Sequence, residues 1–234
     1  MVMRQRRVAQ QVFNGNPLNP LGLSGLIHLW GIGGAGKTLF AVAIASEISK
    51  YSKVEWINAD GKKSFVTQLK KNVVSQNGKP ENIVITLIQD SKALVDEIHS
   101  LSKRINDARL IVIDPITRVL DMARKNPILW GQEIVEDVLP VLAGIVERFN
   151  IDIIITSECR LMNGSVNHAV HHETITKWVD HDLHIDRDPT GLFSHVLISS
   201  PDIEKETAIL RITEDGVLDV IPRVFPSELT EGIS

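Results

Sequence analysis

The segment Gly31–Thr38, GIGGAGKT, constrains this chain more than any other stretch. It follows an apolar run, LIHLW, and precedes a second one, LFAVAIA, in which apolar residues recur with a different period. Glycines at such a junction let the backbone fold into a concave loop whose successive N–H groups point at one anion. The helix that follows adds the partial positive charge of its N-terminus. The spacing G-x-x-x-x-G-K-T therefore predicts a phosphate-binding loop between a strand and a helix. Gly31, Ile32, Gly33, Gly34, Ala35, Gly36, Lys37, Thr38 and Leu39 would surround a triphosphate there. Lys37 is expected to neutralise the β- and γ-phosphates and to serve catalysis, and the Thr38 hydroxyl to be a Mg²⁺ ligand, so ATP and Mg²⁺ are the expected cofactors. A glycine-rich turn that binds nothing is the competing account, and the strand-and-helix setting disfavours it.

The rest of the chain supplies a sheet for such a loop. The runs VEWIN, NIVITLI, LIVID and IDIIIT are apolar without alternation and are separated by segments with helical spacing. In TLFAVAIASEISK that spacing puts Phe40, Ala41, Ile44, Ala45 and Ile48 on one face. In SKALVDEIHSLSKRIND it does the same with Leu94, Ile98, Leu101 and Ile105, and GQEIVEDVLPVLAGIVERF, with Pro140 as a point of kinking, is a third helix. Strands that are apolar on both faces and alternate with helices predict an α/β fold, a mostly parallel central sheet flanked by helices. Towards the end, LHIDR, FSHVLISS, ETAILRIT and GVLDVI lie close together, which predicts antiparallel edge strands. With 234 residues, 43% of them apolar, one domain over residues 25–222 suffices, with a polar, basic lead over 1–24 and a tail over 223–234. A net charge of −4 gives no bulk attraction to nucleic acid or to an anionic membrane, and no apolar run is long enough to span one. The single cysteine, Cys159, fits a reducing compartment, and the expectation is a cytoplasmic protein.

A triphosphate site needs a metal-side carboxylate. RLIVIDPIT offers Asp114 at the end of a buried strand, on the edge where parallel sheets bind ligands. A carboxylate emerging from such a strand needs a cation or a cap to satisfy it. Asp114 is the expected Mg²⁺ ligand, and capping of a following helix that starts at Pro115 is the alternative.

The order strand, phosphate-binding loop, VEWINADG, LIVIDPITRVL, IDIIITSECR and then a long polar segment resembles the ATPase core of the RecA family, within the P-loop NTPases. In particular it is similar to the short archaeal RadA paralogues that include RadB. The resemblance runs from about Gly22 to Val220 and implies further roles. Asp60, at the end of WINAD, matches the carboxylate that orients the attacking water; the family usually has glutamate there, and the shorter aspartate implies slow hydrolysis. A turn role in the Asp60-Gly61 pair is the alternative. Glu158 stands where family members carry a polar residue, often glutamine, that senses the γ-phosphate. Three roles are open to it: facing away, pairing with Arg160, or serving as a base.

CRLMNGSVNHAVHHETITKW resembles the mobile loop with which the family contacts single-stranded DNA, and its length and Gly164 support that reading. Its positive charge is limited to the flanking Arg160 and Lys177, so modest, salt-dependent binding is expected. Lys62, Lys63, Lys70, Lys71, Arg124, Lys125, Arg4, Arg6 and Arg7 are further cationic candidates, although solvated surface accounts for such residues more often. His168, His171, His172, His181 and His184 match no strong metal template, and loop histidines without metal are the preferred reading. The lead is too short for the extra N-terminal domain of filament-forming recombinases, and Phe13 is followed by NGN rather than by their linker pattern. The resemblance thus implies an accessory protein of recombination or repair that binds single-stranded DNA or the main recombinase, with self-association also open. The competing accounts are a KaiC-like regulatory ATPase with a protein partner, a nucleotide-gated binding module that hydrolyses negligibly, and, as a minor option, a small-molecule kinase.

Overall fold

The computed structural model describes residues 18, 21–59, 63–88, 90–105, 107–117, 127–162, 166–198, 205–212 and 218–222. The apolar runs form β1 (Leu26–Gly31), β2 (Lys53–Asn58), β3 (Ile83–Leu87), β4 (Ala108–Asp114) and β5 (Asp152–Met162). The helical spacings form α1 (Lys37–Ser49), α2 (Lys63–Ser75), α3 (Ser91–Arg104) and α4 (Pro127–Phe149), and α4 continues through Pro140. These are followed by β6 (Val166–Ala169), a short helix α5 (His172–Ile175), β7 (His181–Arg187), β8 (Phe193–Ile198), β9 (Lys205–Ile212) and β10 (Leu218–Pro222).

One sheet carries the order β10-β9-β8-β7-β1-β5-β4-β2-β3, with β6 paired to β5. β1 to β5 are parallel, and β8, β9 and β10 extend the sheet antiparallel. β7 lies parallel to β1, Ile27 opposite His181, and antiparallel to β8, Leu183 opposite Ile198, so the antiparallel edge expected from the short links begins at β7. The chain reaches β7 through α5, and that crossover delivers it parallel to β1. The segment read as a mobile loop is also structured in its described part. β5 runs on past Glu158 to Met162 and pairs antiparallel with β6, with Cys159 opposite Ala169.

β1, β4 and β5 are covered on both faces, which is why they read as unbroken apolar sequence, whereas β3 at the edge leaves Val84 exposed. Ile27, Leu29, Val54, Trp56, Leu110 and Val112 pack towards α1 and α2; Leu26, Ile57, Ile111, Ile113, Ile153 and Ile155 pack towards α3 and α4. At about 1.5–3 kcal/mol for each fully buried side chain, these two layers are the main favourable term of the fold. α1 is buried nearly all round, Val42 and Ala43 as well as the expected face, because Val196, Ala208 and Leu210 of the edge strands join the same layer. Leu18, Leu21 and Leu23 also lie in that layer, so the end of the polar lead is part of the core. Among the described residues no helix is long and apolar enough to cross a membrane.

Candidate functional site

Parallel strands end on one edge, and the residues singled out in the sequence converge there. β1 ends at Gly31, β4 at Asp114 and β2 at Asn58, while β5 passes through Thr156, Ser157 and Glu158. The loop from Gly31 to Gly36 turns from β1 into α1. A Cβ at Gly31 would lie 2.2 Å from the carbonyl oxygen of Ile185, so only glycine lets β7 approach the loop this closely. Gly36 has φ 110, a left-handed conformation that a side chain would strain, and from there α1 starts at Lys37 with no side-chain cap. The amides of the first turn are thus left for a ligand.

The side chains around the loop form a connected set. Lys37 Nζ donates to the carbonyls of Gly31 (2.8 Å) and Ile32 (3.0 Å), lying across the loop it belongs to. Thr38 Oγ1 donates to Asp114 Oδ2 at 2.9 Å, and Thr156 Oγ1 donates to Asp114 Oδ1 at 2.5 Å. Asp114, only 6% exposed, is therefore aimed at the start of α1. The described residues after it, 115–117, form a turn and not the first turn of a helix. Asn58, opposite Asp114 in the sheet, is buried, and its Oδ1 finds no hydrogen-bond partner among the described residues. Such an orphaned acceptor beside the carboxylate suits a polar ligand or the water of a bound ion.

Charge in the site is balanced around one lysine. Burial pulls the pKa of Lys37 down, and Cys159, Asp114 and Glu158 push it up. Burial also raises the Cys159 thiol, which keeps it neutral at physiological pH, so the two carboxylates supply the compensation. Glu158 therefore lies near enough for its charge to act on Lys37. Its backbone N–H donates to Thr117 Oγ1 at 3.1 Å. The side chain of Arg160 and the whole of Asp60 lie outside the described residues.

A second cation comes from the far side of the loop. Arg187, at the end of β7, donates through Nη1 to the carbonyl of Gly34 (3.0 Å) and through Nη2 to that of Gly191 (2.7 Å). Beside it a small cleft opens against Gly36, Leu39, Leu192, Ser194 and Leu210. Sequence reasoning missed Arg187, Thr156 and Asn58. Thr156 had a signal, a polar step at the end of the apolar run IDIII; Arg187 had none, since its place depends on β7 pairing with β1.

The molecule superposes on a solved structure described as the crystal structure of the RadB recombinase, with a TM-score of 0.66 and 21% identity, over 86% of this chain and 94% of that one. The fold is RecA-like. No family model matches the sequence, and no curated protein does. At that identity the likeness is one of architecture, which in this chain is a mostly parallel sheet between helices with antiparallel strands along one edge.

Proposed function

We propose that this RecA-like chain binds and hydrolyses ATP and acts as an accessory protein of DNA recombination or repair. One observation carries the nucleotide reading. Lys37, Thr38 and Asp114 meet beside an uncapped helix start on the ligand-binding edge of the sheet, and Thr38 and Asp114 touch at 2.9 Å. The residues fit the expected cofactor, since a hydroxyl and a carboxylate are the oxygen donors that Mg²⁺ takes. Thr38 and Asp114 would hold it, and it would supply neutralisation of the charge on the phosphoryl oxygens.

The chain's own residues account for the rest. The loop amides from Gly31 to Leu39 bind the phosphates, and Lys37, released from its two carbonyls, follows the β- and γ-phosphates. Water attacks the γ-phosphorus, the bond to the β–γ bridging oxygen breaks, and ADP and phosphate leave. Asp60 orients that water by accepting its hydrogen bond, with Glu158, whose charge acts on Lys37, as the alternative base. The RecA-like architecture and its RadB neighbour support the recombination role, and the β5–β6 hairpin is the segment we assign to contact with DNA.

The test is hydrolysis measured with and without single-stranded DNA, alongside ATP affinity by calorimetry. Lys37→Ala is expected to weaken ATP binding by about 10- to 100-fold, the worth of charge-assisted hydrogen bonds to phosphate. Unchanged affinity would remove the nucleotide reading. A rate raised by DNA supports the recombination role, whereas a DNA-independent rate points to a KaiC-like regulatory ATPase. No turnover, with Asp60→Ala equal to the parent, identifies a nucleotide-gated binding module.

A further inference from the structure

The sheet face opposite α1 carries a polar cluster that the nucleotide site does not use. His28 of β1 and Asp182 of β7 are direct partners across the parallel pair. His28 Nδ1 lies 2.6 Å from Asp182 Oδ1, and His172 Nε2, from α5, lies 2.7 Å from Asp182 Oδ2. One ligand atom from each of the three lies within 4.8 Å of the others. Outer contacts fix them in turn. Ser157 Oγ meets His28 Nε2 at 2.7 Å, and Trp30 Nε1 donates to Asp182 Oδ2 at 3.1 Å while its ring stacks on His184. His28 is fully buried, and the side chain of His172 is 25% exposed. The residue before His172, His171, has φ 59, a left-handed conformation unusual for a side-chain-bearing residue, and that turn delivers His172 to the cluster.

We infer that His28, His172 and Asp182 form a binding site for a borderline divalent transition-metal ion, represented by Zn²⁺. Two imidazoles and a carboxylate are a donor set for such ions and a poor one for Mg²⁺, which prefers oxygen alone. The outer partners match the pattern that orients metal-bound histidines: the second ring nitrogen of His28 is held by Ser157, and the carboxylate receives a hydrogen bond from Trp30. The two present N···O contacts are hydrogen bonds. Metal–ligand distances of about 2.0–2.2 Å in a tetrahedron separate ligand atoms by roughly 3.3 Å, so each contact opens by about 0.6 Å. The four-residue α5, near the surface, is the part that yields. Three protein ligands leave one position for water. The ion would tie the segment after the β5–β6 hairpin to β1, whose far end is the phosphate-binding loop.

The test uses the full chain, stripped with chelator and titrated with Zn²⁺ against a chromogenic competitor in excess Mg²⁺. One Zn²⁺ per chain is expected at sub-micromolar affinity, with Co²⁺ giving the visible absorption of a tetrahedral site. His172→Ala, at a partly exposed position, is expected to weaken binding at least 100-fold with unchanged circular dichroism. Ser157→Ala should cost about tenfold, as loss of an outer partner does. His99→Ala, at an exposed position of α3 outside the cluster, should bind as the parent. X-ray absorption of the zinc-loaded chain should show a nitrogen and oxygen shell with two imidazoles. Equal zinc affinity in the parent and His172→Ala, or a sulfur ligand, which only Cys159 or a methionine could supply, would overturn the assignment.

Discussion

Cys159 illustrates how one residue reports on the site around it. It follows Glu158 on β5, beside the charge of Lys37 and the backbone of Gly31, both of which favour the thiolate. Burial outweighs them and lifts the thiol above its ordinary value of 9.0. Alkylation by iodoacetamide, followed by mass spectrometry, is therefore expected to be at least tenfold slower at pH 8 than in the urea-unfolded chain, because only the thiolate reacts. The rate should still be climbing at pH 9. The sign for stability follows from the same shift. With the folded pKa raised, the native state holds its proton longer than the unfolded chain, so the contribution is complete below about pH 9 and is lost as pH rises beyond it. A reaction rate already level at pH 8 would place Cys159 in a more polar setting. Nothing in the sequence signals this environment, whereas Lys37, Thr38 and Asp114 were legible because a short motif and a strand end fix them locally. Thr156 and Asn58 reach Asp114 only through sheet register, which connects positions far apart in the chain.

Elements were most legible where burial dictates the pattern. The continuous apolar runs gave the five parallel strands β1 to β5, and α3 buries Leu94, Ile98, Leu101 and Ile105, the face its spacing picks out. α2 was harder to see, since among its described side chains only Leu69 and Val73 are buried. The β5–β6 hairpin was misread as a loop because it depends on which strand lies beside which, and periodicity carries no such information. α1 offers the sharpest test of packing. Phe40 is fully buried just after the phosphate-binding loop, in the layer that also holds Leu18, Trp56 and Leu210. Phe40→Ala is expected to cost about 3–5 kcal/mol of stability, from lost transfer energy and the cavity left behind. Urea denaturation followed by circular dichroism measures it through the midpoint at constant slope. A cost below about 1 kcal/mol would mean that the edge strands collapse onto the space and that α1 is less tightly clamped than its all-round burial implies.

At the scale of the whole molecule, the net charge of −4 and the position of the cationic residues decide what kind of DNA binding this fold can support. On the proposed reading, a strand of DNA at the β5–β6 hairpin and α5 would sense the occupancy of the phosphate-binding loop through Glu158, Ser157 and Thr156, which pair with β1 next to that loop. Two cations, Arg160 and Lys177, flank that segment, while the exposed Lys70 and Lys71 stand apart on α2. Neutralising about two phosphates predicts a slope of log affinity against log salt near −1.4 for single-stranded DNA, or a roughly sevenfold loss between 50 and 200 mM salt. Lys177→Ala should lower the slope by about 0.7, and Lys70→Ala should leave it unchanged. Fluorescence anisotropy of a labelled oligonucleotide, with ATP present, measures all three. A slope steeper than about −3 would require four or more phosphate contacts and would move the DNA path away from this hairpin to a surface with more positive charge. Affinity that ignores salt would remove phosphate contacts from the interaction altogether.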